Sequence, residues 1–218
     1  NTMRLKKLTA LVPVSDELMS DAFALPAYLS RKTGISIRWK TNNAIINGTG
    51  AGQPVGIAGH AAEVSQAKET SQTADTINAN NVAKMRGRLH VTNGLGGVRW
   101  LLHPDAFNQL FTMSVGNSPI WHPDFRLASG GTLLGIPVIL SHTCQTLGDK
   151  GDIRLIDFNG YRTITKSSGI ETATSMHLYF DAGAMAFRAV FRVDGQPVVK
   201  STNAATNGRS TFSPYVTL

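Results

Sequence analysis

Apolar and polar residues alternate loosely through residues 3–14, MRLKKLTALVPV, which predicts a strand that ends near Pro13. Ser15 then stands as a helix N-cap, with Asp16 and Glu17 in the first turn, where the helix dipole favours carboxylates; a short helix over residues 16–24 follows. Pro26 suits the first turn of a second helix, over about residues 27–47. Inside it the pattern conflicts. Ile35-Ser36-Ile37-Arg38-Trp39-Lys40 alternates with period two, as a strand does, whereas Tyr28, Ile35, Trp39 and Ile46 fall near one helical face. Gly34 costs a helix interior about 1 kcal/mol against alanine, and pattern alone leaves helix and strand both open.

Next comes Asn47-Gly48-Thr49-Gly50-Ala51-Gly52-Gln53-Pro54-Val55-Gly56-Ile57, which fits neither a helix interior nor a central strand. It predicts a junction between two parts of the fold. A dinucleotide fingerprint fails on spacing: counting from Gly48 its third glycine falls on Gln53, and counting from Gly50 it falls on Val55. No G-K-[ST] follows, so a structural turn is the reading. Gly48 and Gly50 are expected to supply left-handed conformations that stop the helix. Gly52 continues the hinge, and Pro54 prevents the helix from resuming.

Residues 63–73 read as a loop. Asp75 or Thr76 caps a helix reaching Leu89, with Ile77, Val82, Met85 and Leu89 as its stripe. Residues 98–102, VRWLL, form a strand of the buried type, and residues 104–112 a short helix that turns Phe107, Leu110 and Phe111 inward. Residues 114–131 carry Trp121, Phe125 and two prolines without periodicity, and a loop of that length suggests a binding or interface role. Further strands are expected within residues 133–141 and at 152–158, 161–166, 170–174 and 184–193. A polar tail then ends in Tyr215-Val216-Thr217-Leu218.

A hydrophobic content of 42% with 16% charged residues describes an ordered globular chain, and no apolar run is long enough to cross a bilayer. A net charge of +7 permits a polyanionic partner, but the cations are scattered among residues 4–7, 31–32 and 84–88, as on a solvated surface. The one cysteine, Cys144, forms no internal disulfide. His60, His90, His103, His122, His142 and His177 never stand three or four apart, which argues against a metal site; no cofactor is expected. There is no G-x-S-x-G elbow, and His142 beside Cys144 reads as structural. Asn47-Gly48-Thr49 fits a glycosylation acceptor, with nothing to suggest secretion. No catalytic constellation is found.

Four segments, in order, resemble the major capsid proteins of tailed bacteriophages, with the Hong Kong 97-type shell fold. They are KKLTALVPVSDELMSDA (6–22), AIINGTGAGQPVGI (44–57), VRWLLHPDAFNQLFTM (98–113) and TLLGIPVILSH (132–142). The resemblance implies an α+β fold in which residues 27–47 form the family's spine helix. It implies a peripheral domain from residues 1–57 and 159–218, and an inserted axial domain of residues 58–158. Trp121, His122, Phe125 and Arg126 would then be axial-loop contacts at a symmetry axis. The partners implied are neighbouring copies, packaged DNA bound without sequence specificity, and scaffold or portal proteins, with no membrane.

The family's N-terminal arm and extended loop have no counterpart here, so the resemblance implies a C-terminal portion, staying monomeric or in small oligomers by itself. Some members cross-link through a loop lysine, an asparagine and a glutamate. The lysine is absent, and the other two positions fall near Met176 and near residues 182–183, so self-crosslinking is not expected. The rival readings are an encapsulin-type compartment shell, a basic nucleic-acid-binding module and, last, a hydrolase.

Overall fold

The computed structural model describes residues 2–22, 24–124, 130–208 and 210–218. In chain order it holds β1 (Lys6–Ser15), α1 (Asp16–Asp21) and α2 (Leu25–Asn47), then β2 (Glu63–Ser65) and α3 (Ala79–Gly87). Next come β3 (Val98–Leu102), α4 (Phe107–Phe111), β4 (Ser114–Val115), β5 (Ser118–Pro119), β6 (Trp121–Pro123) and β7 (Gly131–Leu133). The later elements are β8 (Ile136–Leu140), β9 (Ile153–Asp157), β10 (Tyr161–Thr165), β11 (Glu171–Tyr179) and β12 (Ala184–Pro197). The chain ends with β13 (Asn203–Ala204), β14 (Thr211–Phe212) and β15 (Tyr215–Thr217).

These elements form two compact units. The first comprises Asn1–Gly56 and Thr163–Gln196. Its spine is the antiparallel ladder of β1 on β12, in register from Lys6 opposite Val193 to Ser15 opposite Ala184. β10 and β11 both pair with the other edge of β12. Eight of the nine residues of β11 are exposed, and its pairing with β12 shifts register between Ser175 and Tyr179. Ser15 caps α1 as expected, its Oγ accepting from the Leu18 N–H at 3.4 Å.

The helix–strand conflict of residues 27–47 resolves as α2, one helix of 23 residues. Thr33, Ile37, Ala44 and Ile46 are buried, while Tyr28, Ile35 and Trp39 stand in solvent. The alternating stretch is thus a helix with apolar residues on two faces, and the face that looked apolar from spacing is mostly the wet one. Gly34 has ordinary helical backbone, and a Cβ there would meet Ile170 Cδ1 at 3.9 Å, a normal contact. Gly34→Ala is therefore expected to stabilise the chain by about 1 kcal/mol. Urea denaturation tests this; a lower midpoint would show that α2 needs the glycine.

The second unit comprises Ile57–Arg162 and Pro197–Leu218. Its seven-stranded sheet runs β2-β15-β9-β3-β8-β7-β6. β3 lies parallel to β8 and antiparallel to β9 at the centre, and its VRWLL sequence is buried at four of five positions. Trp100 is fully buried, and its indole N–H donates to the Leu133 carbonyl at 3.0 Å. The core gathers Val82 and Met85 of α3, Leu110 of α4, and Leu133, Ile153 and Leu155 around it.

Several expectations are corrected. Residues 159–162 and 197–218 belong with the second unit, not with residues 1–56; β15 is an inner strand of its sheet, parallel to β2 and antiparallel to β9. The loop expected at 63–73 opens with β2. α3 begins at Ala79 after the cap Asn78, whose N–H donates to Asn81 Oδ1 at 2.9 Å, so neither Asp75 nor Thr76 caps it. Residues 114–124 are not irregular but fold back as β4, β5 and β6.

Candidate functional site

The hinge at the end of α2 is a closed backbone loop. The Gly48 N–H donates to Ala44 O at 2.9 Å, Gly50 N–H to Pro54 O at 3.2 Å, and Gly56 N–H to Gly48 O at 2.8 Å. Gly50 (φ +81°) and Gly52 (φ +70°) take left-handed backbone. Gly48 does not, with φ −67° and ψ 140°, which corrects the expectation for it. Its requirement is space: a Cβ there would lie 2.3 Å from both Ala44 O and Pro54 O. Pro54 is buried beside it.

A lysine latches this loop to β1. The Lys6 ammonium donates to Gly50 O at 2.7 Å and Gln53 O at 2.6 Å, and pairs with Asp194 Oδ1 at 3.3 Å. Asp194 is buried and also accepts from the backbone N–H of Arg4 and of Gly195. The Val55 N–H bonds to Gly195 O at 2.8 Å, tying the far side of the loop to β12. One cation thus satisfies two carbonyls and one carboxylate that would otherwise be poorly solvated. Sequence reasoning missed Lys6, because its partners lie 44, 47 and 188 residues further along.

The proposed axial contacts separate. Trp121 is only 3% exposed and packs edge-on against Phe107 and Phe111, with ring centroids at 6.0 and 6.4 Å. It belongs to the core of the second unit, so its side chain faces inward instead of toward a neighbour. His122, next to it on β6, is exposed opposite Thr132. Phe125 and Arg126 lie outside the described residues.

Among the described residues, no three His, Cys, Asp or Glu side chains gather as a metal site. His103 and His142, 39 residues apart in sequence, meet edge-on at 6.1 Å. Cys144 is buried, and burial pushes its thiol up to about 11. At pH 8 the folded chain should react with iodoacetamide about a hundredfold more slowly than the unfolded chain. Equal labelling rates, followed by mass spectrometry, would contradict the burial. Glu63 and Arg154, side chains 3% and 4% exposed, pair at 2.8 Å between β2 and β9, and Lys150 joins Glu63 at 3.1 Å.

Two α+β units, one with a long helix beside a β1–β12 ladder and one with a mixed seven-stranded sheet, make the Hong Kong 97-type shell-protein fold. The chain belongs to the phage capsid family, whose model matches residues 1–205. It is similar in structure to the capsid of a native GTA particle computed with C5 symmetry (TM-score 0.72, 16% identity, 99% of this chain and 72% of that one). It is also similar to the holo-SrpI encapsulin complex of Synechococcus elongatus PCC 7942 (TM-score 0.65, 14% identity, 90% and 71%). A structure from Mycobacterium phage Bobi matches at TM-score 0.62 with 14% identity, over 99% and 71%. At such identities the likeness establishes the fold. No curated protein sequence matches the chain. Family and fold together are those of a phage major capsid protein, a structural component of the virion.

Proposed function

We propose that this chain is the shell subunit of an icosahedral phage or prophage head, closing into pentamers and hexamers around double-stranded DNA, without catalytic turnover. The observation that carries this is the family match over residues 1–205. In this reading the first unit is the peripheral domain and the second the axial domain. His122 stands nearest the symmetry axis. Scaffold and portal proteins would be further partners, and assembly would take place in the bacterial cytoplasm. Of the described helices, none is long and apolar enough to cross a membrane.

Exposed apolar side chains support a chain built to be covered. Met176 and Leu178 of β11, and Phe180 just after it, are each more than half exposed. Patches of this kind mark interaction surfaces, and many copies of one chain meet through such patches by symmetry. The likeness to an encapsulin keeps a compartment shell as a second reading, at a lower TM-score than the GTA capsid. Sedimentation velocity with cross-linking mass spectrometry tests the proposal. Species larger than a monomer are expected as concentration rises, with links between copies through residues 114–131. A strict monomer up to millimolar concentration would overturn it.

A further inference from the structure

No carboxylate side chain occurs between Asp21 and Glu63, and the four cations of that interval, Arg31, Lys32, Arg38 and Lys40, all lie on α2. At 100° per residue, Tyr28, Arg31, Lys32, Ile35, Arg38 and Trp39 fall within an arc of about 120°. All six are exposed and lie opposite the buried Thr33, Ile37 and Ala44, while Ile46, buried at the C-terminal end of the helix, shares their side. Lys40 leaves the helix about 80° outside this arc, and only its ammonium, 5.4 Å from the Trp39 ring centroid, comes back beside it. Lys40 also lines a cavity of about 160 Å³ with Lys7, Thr41 and Asn43, among others.

We infer that this outer face of α2 is a nucleic-acid-binding surface, with the four cations on backbone phosphates and Tyr28 and Trp39 stacked on exposed bases. A face carrying four positive charges and no negative one attracts a polyanion. Two solvated aromatic rings interleaved with those charges form a stacking platform, which an acidic peptide would not use. Cation–π contact with Lys40 holds the Trp39 ring beside the charges. The place of this surface in a head rests on the proposed function; its binding chemistry does not.

Trp39 supplies the readout. Trp100 and Trp121 are buried, whereas Trp39 is 55% exposed, so a ligand that quenches tryptophan emission from outside acts on Trp39. The unassembled chain is titrated with a labelled 20-nucleotide single strand and with the matching duplex, by anisotropy and by tryptophan fluorescence. The single strand is expected to bind more tightly and to quench Trp39. Its affinity should fall roughly 50-fold between 50 and 200 mM salt if four phosphates are engaged. The variant R31Q/K32Q/R38Q/K40Q, all exposed changes, should lose binding, while K84Q/R86Q on α3 should not. Trp39→Leu should lower single-strand affinity about tenfold.

Unchanged binding by the quadruple variant would overturn the inference. So would equal duplex affinity with no Trp39 response, or a Trp39 response to protein concentration alone, which would place a second copy on this face. Because the assay reads dispersed chain, loss of DNA binding with self-association intact sinks this surface alone. Strict monomers that still bind DNA sink only the assembly reading.

Discussion

Gly48→Ala is expected to lower the unfolding free energy by roughly 3–5 kcal/mol, at the upper end of what single substitutions do. The added methyl would meet two backbone carbonyl oxygens at 2.3 Å, one from the last turn of α2 and one from Pro54. Neither can rotate away as a side chain would. Relief requires breaking the Gly48–Ala44 hydrogen bond or opening the loop, which in turn withdraws Gly50 O and Gln53 O from the Lys6 ammonium. Gly52→Ala is the contrast: no atom lies within 4 Å of its Cβ position, so only its positive φ is strained, at about 1–2 kcal/mol. Urea midpoints of the two variants measured side by side test this. A Gly48→Ala protein as stable as its parent would mean that the loop is looser than its hydrogen bonds suggest.

The second large effect is expected at Glu63. Its carboxylate holds Arg154 at 2.8 Å with both side chains almost fully buried, and it also accepts the Gly59 N–H at 2.9 Å. Glu63→Ala leaves the guanidinium in the sheet without a counter-charge, a loss of about 3–5 kcal/mol. Arg154 Nε already has no hydrogen-bond partner, so there is little slack to absorb the change. Removing both charges, as Glu63→Leu with Arg154→Met, is expected to recover most of that loss, since the desolvation cost disappears with the pair. Lys150→Met should be nearly silent, because that ammonium is 56% exposed. If Glu63→Ala and Lys150→Met unfold at the same midpoint, the buried pair is no stronger than a surface one.

The legible parts of this fold were the locally encoded ones. Ser15, Asp16 and Glu17 mark a helix start within three residues, and the apolar run VRWLL marks the buried strand β3. α2 was illegible by periodicity for a definite reason: Ile37 faces the core while Ile35 and Trp39 face out. A helix apolar on two sides gives no single stripe, and only the resemblance of the surrounding segments pointed to a helix there. β15 was lost because its partners, β2 and β9, lie far back in the chain. Trp121 looked like a loop aromatic, and nothing local tells that Phe107 and Phe111 receive it. In the hinge, sequence located the glycines correctly but gave Gly48 the wrong task, since crowding between two carbonyls leaves no local signature.

β11 has a consequence of a different kind. A strand normally keeps its register because slipping by one residue would turn a core face out into water. Eight of the nine residues of β11 already face water on both sides, and its ladder on β12 changes step between Ser175 and Tyr179. Sliding it exposes nothing that is now hidden. Apart from Glu171, held by Lys166 and Ser168, its pairing is therefore set mainly by backbone hydrogen bonds, and an incoming strand can compete for it at little energetic cost.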